Sequence, residues 1–124
     1  MIPPWCEPYI GVPYASCDCW TLMRRVLKDR WQIDVPAWEI TPDGVSIDTI
    51  LAAGIDWREV RWGSERVGDV VAITKGVFVV HVGLVVSLGH MVHTLPAHNS
   101  VVEAYDGFLY RSRIAGFYRH PALA

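Results

Sequence analysis

The 124-residue chain has no block of lysine and arginine. Its eleven basic residues are spread out, "MRRVLKDR" is their densest cluster, and the formal net charge is -2. A nucleic-acid interface is therefore not expected, and those charges read as the solvated face of a helix. The opening "MIPPWCEPY" lacks a basic stretch followed by an apolar one. It predicts no signal peptide, and so synthesis in the cytoplasm. Cysteine is scarce and odd in number. Cys6, Cys17 and Cys19 cannot all pair within one chain, and a reducing compartment is the simpler expectation. There is no internal repeat, low-complexity tract or linker. One domain over residues 1–124 is expected, and a hydrophobic content of 52% argues for a real core and against disorder.

One more absence shapes the fold. From Gly76 to Val102 there is no Asp, Glu, Lys or Arg. Such a run invites a membrane reading. Three histidines by Leu95, three glycines and Pro96 interrupt it, and "VFVVHVGLVV" has the composition of a strand. Buried strands are expected here, with no membrane insertion.

What is present changes its period along the chain. Residues 1–13 hold four prolines and read as an ordered arm or a short helix and a turn. From Cys19 the pattern is helical: Cys19, Leu22, Met23, Val26 and Leu27 fall on one face. The helix should end before "DVPAWEITPDG", where Pro36, Pro42 and Gly44 break it. Ser46 can cap a second short helix, "IDTILAAG", closed by Gly54. After a turn at Gly68 the pattern becomes strand-like in "RVGDVVAI", "VFVVHVGLVV", "HMVHTL", "SVVEAY" and "IAGFYRH". Strands in sequence joined by tight turns predict an antiparallel sheet, and helices before strands predict an α+β domain.

The chemistry centres on "YASCDCWTLMRRVL". Thiolate, not thiol, attacks a carbonyl carbon, and a helix N-terminus or an adjacent imidazolium lowers a thiol from its usual value near ~8.5. Cys19 opens the helix, so depression of its pKa is expected, with Asp18 as the N-cap. His81 lies in the most apolar strand, where an imidazole is costly without a partner. A hairpin centred near Ser87 would set His81 opposite His93. It would put Val79, His81, Gly83, Met91, His93 and Leu95 on one face. If that face packs on the helix, a thiol and two imidazoles converge, with His93 orienting His81. Each residue also has an ordinary structural reading: a core cysteine, a satisfied strand histidine. Cys-x-Cys with two histidines could alternatively bind zinc. The two thiols, only two residues apart, make joint coordination cramped, and no metal or other cofactor is expected. Trp31, Trp38, Trp57 and Trp62 read as core or rim, and Gly68 and Asp69 as a turn before a strand.

These segments together resemble the NlpC/P60 family of papain-like cysteine peptidases, over nearly the whole chain. "YIGVPY" resembles the family's Gly-x-Pro-Tyr segment, "DCWTLMRRVL" its Asp-Cys helix opening, and "GDVVAI" its strand-start Gly-Asp. "HVGLVVSLGHMVHT" resembles its His-Val-Gly strand and the polar residue twelve positions on. The aromatic after the cysteine and the ending "RIAGFYRHPAL" look most like the phage-tail branch.

The resemblance implies a cysteine peptidase or amidase that cuts a bacterial peptidoglycan stem peptide through a thioester acyl-enzyme. Cys19 would be the nucleophile, His81 the base and acid, and His93 the orienter. Tyr14 and Asp18 would hold the substrate's amino end. Trp20, where many members have serine, would reshape the pocket. The Tyr14–Cys19 loop is short and lacks the usual glycine pair. Phage-tail components are the implied partners and the host cell wall the implied place of action. The competing expectations are a structural tail-assembly protein of the same fold with little activity, and the zinc module.

Overall fold

The computed structural model describes residues 2–37, 45–46, 57–75 and 78–123. The second helix expected over residues 47–54, and Trp38, lie outside these. The described residues build one helix, α1 (Cys19–Trp31), and a seven-stranded antiparallel sheet. The strands are β1 (Val45–Ser46), β2 (Arg58–Val60), β3 (Val70–Lys75), β4 (Phe78–Ser87), β5 (His90–His93), β6 (Val101–Ala104) and β7 (Ile114–Arg119). Their order is β2-β7-β3-β4-β5-β6, and β1 pairs with the start of β4. This is the α+β architecture that the change of period predicts. Ser46, expected as a helix cap, is paired with Phe78 in β1.

Helix α1 begins at Cys19 because Asp18 caps it. The Asp18 carboxylate accepts the Thr21 N–H at 2.8 Å and satisfies one of the free donors of the first turn. At the other end Gln32 takes the left-handed conformation (φ 56°), and its N–H closes on the carbonyls of Leu27 and Lys28. Cys19, Trp20, Leu22, Met23, Val26 and Leu27 are buried. They pack on Val70, Ala72, Val82, Leu84, Val86 and Val92 of the sheet. The opposite face of the sheet has its own apolar cluster: Val71, Ile73, Val85, Met91, Phe117, Tyr105 and Tyr110.

Two devices hold the ends of this layer. The proline-rich arm forms a 3-10 turn, Pro4–Tyr9, and then runs beside residues 98–100. Ser100 Oγ donates to the Tyr9 carbonyl at 2.6 Å and accepts the Val12 N–H at 2.8 Å. Across the sheet, Asp69 is fully buried and takes both Nε and an Nη of Arg119 at 2.7 Å. The Gly68–Asp69 pair is thus more than a turn. Gly68 supplies φ +99°, and Asp69 pins the start of β3 to the end of β7.

Candidate active site

A bulge sets the direction of His81. In the β3–β4 ladder Ile73 pairs with His81 and Thr74 with Val79, which leaves Val80 as the extra residue. An extra residue breaks the in-out alternation and re-aims the next side chain. Val79 and Val82 accordingly both belong to the cluster under α1. His81 takes the side of its cross-strand neighbour Ile73, which belongs to the other cluster. This corrects the expectation that Val79 and His81 share a face and that this face carries the helix. Cys19 instead meets β4 at the next backbone position, where Val82 donates a hydrogen bond to the thiol.

The second correction concerns register. Leu84 pairs with Val92 and Val85 with Met91, so the ladder continued by one residue sets His93 beside Gly83 rather than His81. The two imidazoles still meet, on the diagonal. His81 Nε2 lies 2.7 Å from His93 Nδ1, with ring centroids 4.9 Å apart. Both are buried, at 5% and 1% exposure. His93 Nε2 lies 2.9 Å from Glu103 Oε2 on β6, and Tyr110 packs edge-on against the His93 ring. Sequence reasoning missed Glu103. Its one signal was an acid standing alone between apolar residues in "SVVEAY".

Electrostatics differ from expectation at the thiol. Burial pushes Cys19 up to about 11, against the lowering effect of the backbone N–H groups of Val82, Trp20 and Cys19 itself. Burial likewise pushes His81 down to about 3, aided by the neighbouring His93 and by Arg113. His93 is also lowered by burial, which outweighs Glu103. The expected depression of the Cys19 pKa is therefore reversed. Desolvation at a nearly closed position exceeds what a helix terminus supplies, and the resting groups are a neutral thiol and neutral imidazoles.

The remaining candidates take distinct places. Asp18 is partly exposed at the helix mouth, with its carboxylate engaged as the cap. Tyr14 is partly exposed, and its N–H donates to the His98 carbonyl at 3.1 Å. Trp20 is 2% exposed, and its indole N–H donates to the Pro36 carbonyl at 2.9 Å. It is a wall and a tether for the segment after α1, not an open surface. Trp31 and Trp57 pack against the cluster under α1, whereas Trp62 is 46% exposed. Cys6 and Cys17 are free and buried, and burial raises both thiols. Among the described residues no group of three or more His, Cys, Asp or Glu side chains is arranged to hold a metal ion.

No protein-family model and no curated protein matches the sequence. Solved structures do match the fold. A lipoprotein-like protein of the NLP/P60 family from Staphylococcus aureus superposes with a TM-score of 0.67 at 20% identity, over 93% of this chain. The chain spans only 38% of that protein's length. The NlpC/p60 domain of the peptidoglycan hydrolase SagA superposes with a TM-score of 0.62, also at 20% identity, over 92% of this chain and 91% of that domain. The chain thus has the NlpC/P60 fold, with the Cys19 helix packed on the antiparallel sheet.

Proposed function

We propose that the protein is a cysteine peptidase of the bacterial cell wall, hydrolysing an amide bond in a peptidoglycan stem peptide. The observation that carries this reading is the buried His81–His93 pair at 2.7 Å, on the strand that Cys19 meets at Val82. The description of SagA as a peptidoglycan hydrolase supports the substrate class. Cys19 Sγ attacks the amide carbonyl carbon as His81 takes the thiol proton, directly or through one water. The C–N bond breaks, the proton passes to the leaving amine, and a thioester remains. Water then attacks the thioester, gives a proton to His81, and releases the acid and the free thiol. Burial favours the neutral thiol and imidazole, so the thiol proton has to move to His81 for the attack. His93 holds the His81 ring, Tyr14 and Asp18 meet the amino end of the peptide, and Trp20 braces the pocket from behind.

The D-glutamyl–diaminopimelate bond is the proposed target, and a phage or phage-like tail the proposed carrier to the host wall. That carriage rests on the likeness of the chain's ending to phage-tail proteins. The test is incubation of the purified protein with stem peptides and sacculi, with products read by mass spectrometry. Cleavage that disappears in Cys19→Ser and in His81→Ala is the expected result. An unchanged substrate, with Cys19 reduced and the fold intact, would favour the structural tail protein instead.

A further inference from the structure

The hydrogen-bond chain from His81 runs past His93 to the sheet edge. His93 Nε2 faces Glu103 Oε2 at 2.9 Å, and the Tyr110 hydroxyl donates to the same carboxylate. Two neutral imidazoles in contact allow two polarities. In one, His81 Nε2–H donates to a bare His93 Nδ1, and His81 Nδ1 is left without a proton. In the other, His93 donates, His81 Nδ1 carries the proton, and His81 cannot accept another from a thiol. Nothing in the histidine pair itself chooses between them. An ionised carboxylate chooses, because it only accepts.

We propose that Glu103 is a positioning residue that fixes the tautomer of His93 and, through it, that of His81. It holds the proton on His93 Nε2, bares His93 Nδ1, and so draws the His81 proton to Nε2. His81 Nδ1 is then the atom that receives the Cys19 proton. When His81 becomes a cation, the Glu103 charge stabilises it through His93. The groups acting on the pair are Arg113 toward His81, and Glu103 and Tyr110 toward His93. The catalytic half of this proposal rests on the peptidase reading, whereas the tautomer half does not.

The test pairs NMR with turnover. Long-range nitrogen–proton spectra of the imidazoles at neutral pH should show the proton on Nε2 of both His81 and His93. Glu103→Ala should move His93 to a mixture or to Nδ1–H, and His81 with it. Glu103→Gln, whose amide can present either oxygen or nitrogen, should give an intermediate result. Both variants alter a partly exposed edge residue, and unchanged thermal midpoints will verify the fold. On a stem peptide, Glu103→Ala should lower kcat about tenfold to a hundredfold with KM little changed, part of the ~10²–10⁴ that a correctly protonated general base supplies. Unchanged tautomers in Glu103→Ala, or a bare His93 Nε2 in the native protein, would overturn the proposal while leaving the peptidase reading intact. Glu103-dependent tautomers in a protein that cleaves nothing would overturn the peptidase reading and its catalytic half alone.

Discussion

His93 stands abreast of Gly83, and its ring crosses toward His81 over the one position of β4 that has no side chain. A Cβ on residue 83 would lie 2.5 Å from Met91 Sδ and 3.4 Å from His93 Cβ. Met91 is fully buried, so its thioether can give way only by repacking its neighbours. Gly83→Ala should cost about 1–3 kcal/mol in a urea titration, as overpacking does. It should also lower turnover more than that loss of stability explains. An alanine variant with native stability and activity would show that the glycine is incidental.

Thiol chemistry should follow the burial of Cys19. With the thiol pushed up to about 11, alkylation of Cys19 by iodoacetamide should rise roughly tenfold per pH unit from neutrality and level off only near that value. The rate is read on the Cys19 peptide by mass spectrometry, because Cys6 and Cys17 are also buried thiols. A rate already flat at pH 6 would instead reveal a preformed thiolate–imidazolium pair.

Acid should destabilise the fold through the histidines. Unfolded imidazoles take up protons near ~6.5, whereas burial holds folded His81 down to about 3 and lowers His93 as well. Between these values the unfolded state binds more protons, so stability is full above the unfolded value and falls as pH drops through this window. His81→Gln should flatten that part of the stability–pH curve. An equal slope in the variant would place the acid sensitivity elsewhere.

Asp18 can be separated into cap and charge. Asn caps as well as Asp, so Asp18→Asn should leave stability within a few tenths of a kcal/mol, and Asp18→Ala should cost about 1 kcal/mol. If Asp18 also holds a substrate amine, Asp18→Asn should raise KM for stem peptides with a free amino end. An unchanged KM would confine Asp18 to the helix.

The Asp69–Arg119 pair predicts a larger effect. Asp69→Asn leaves a guanidinium buried without its counter-charge and should cost about 3–5 kcal/mol by urea titration. The double variant Asp69→Asn/Arg119→Met should recover part of that loss. Additive losses would argue that the two side chains act independently.

The helix and the strands were legible because each is a clean period: Cys19 to Leu27 at three and four, the later strands rich in β-branched residues. The meeting of His81 with His93 was legible as two costly polar groups in neighbouring apolar strands. Its geometry was not. A bulge at Val80 and an offset of two residues leave no mark on composition, yet they decide which face His81 takes. The raised pKa of Cys19 was hidden for a related reason: helix position can be read from spacing, whereas depth of burial depends on what packs above it. Glu103 and Arg119 each act through a partner distant in sequence, and a single charge in a strand does not name its partner.

The strand order also dictates a sequence of assembly. Strands β3 to β6 are successive neighbours and can zip from hairpin to hairpin. Strand β7 sits between β2 and β3, and β2 has no other sheet partner among the described residues. Residues 58–60 must therefore wait, unpaired, until residues 114–119 have arrived. Asp69 waits with them, hydrated and uncompensated, until Arg119 reaches it. A ribosome that has released only the first hundred residues can already offer the two histidines a common hairpin. It cannot yet offer them a complete sheet.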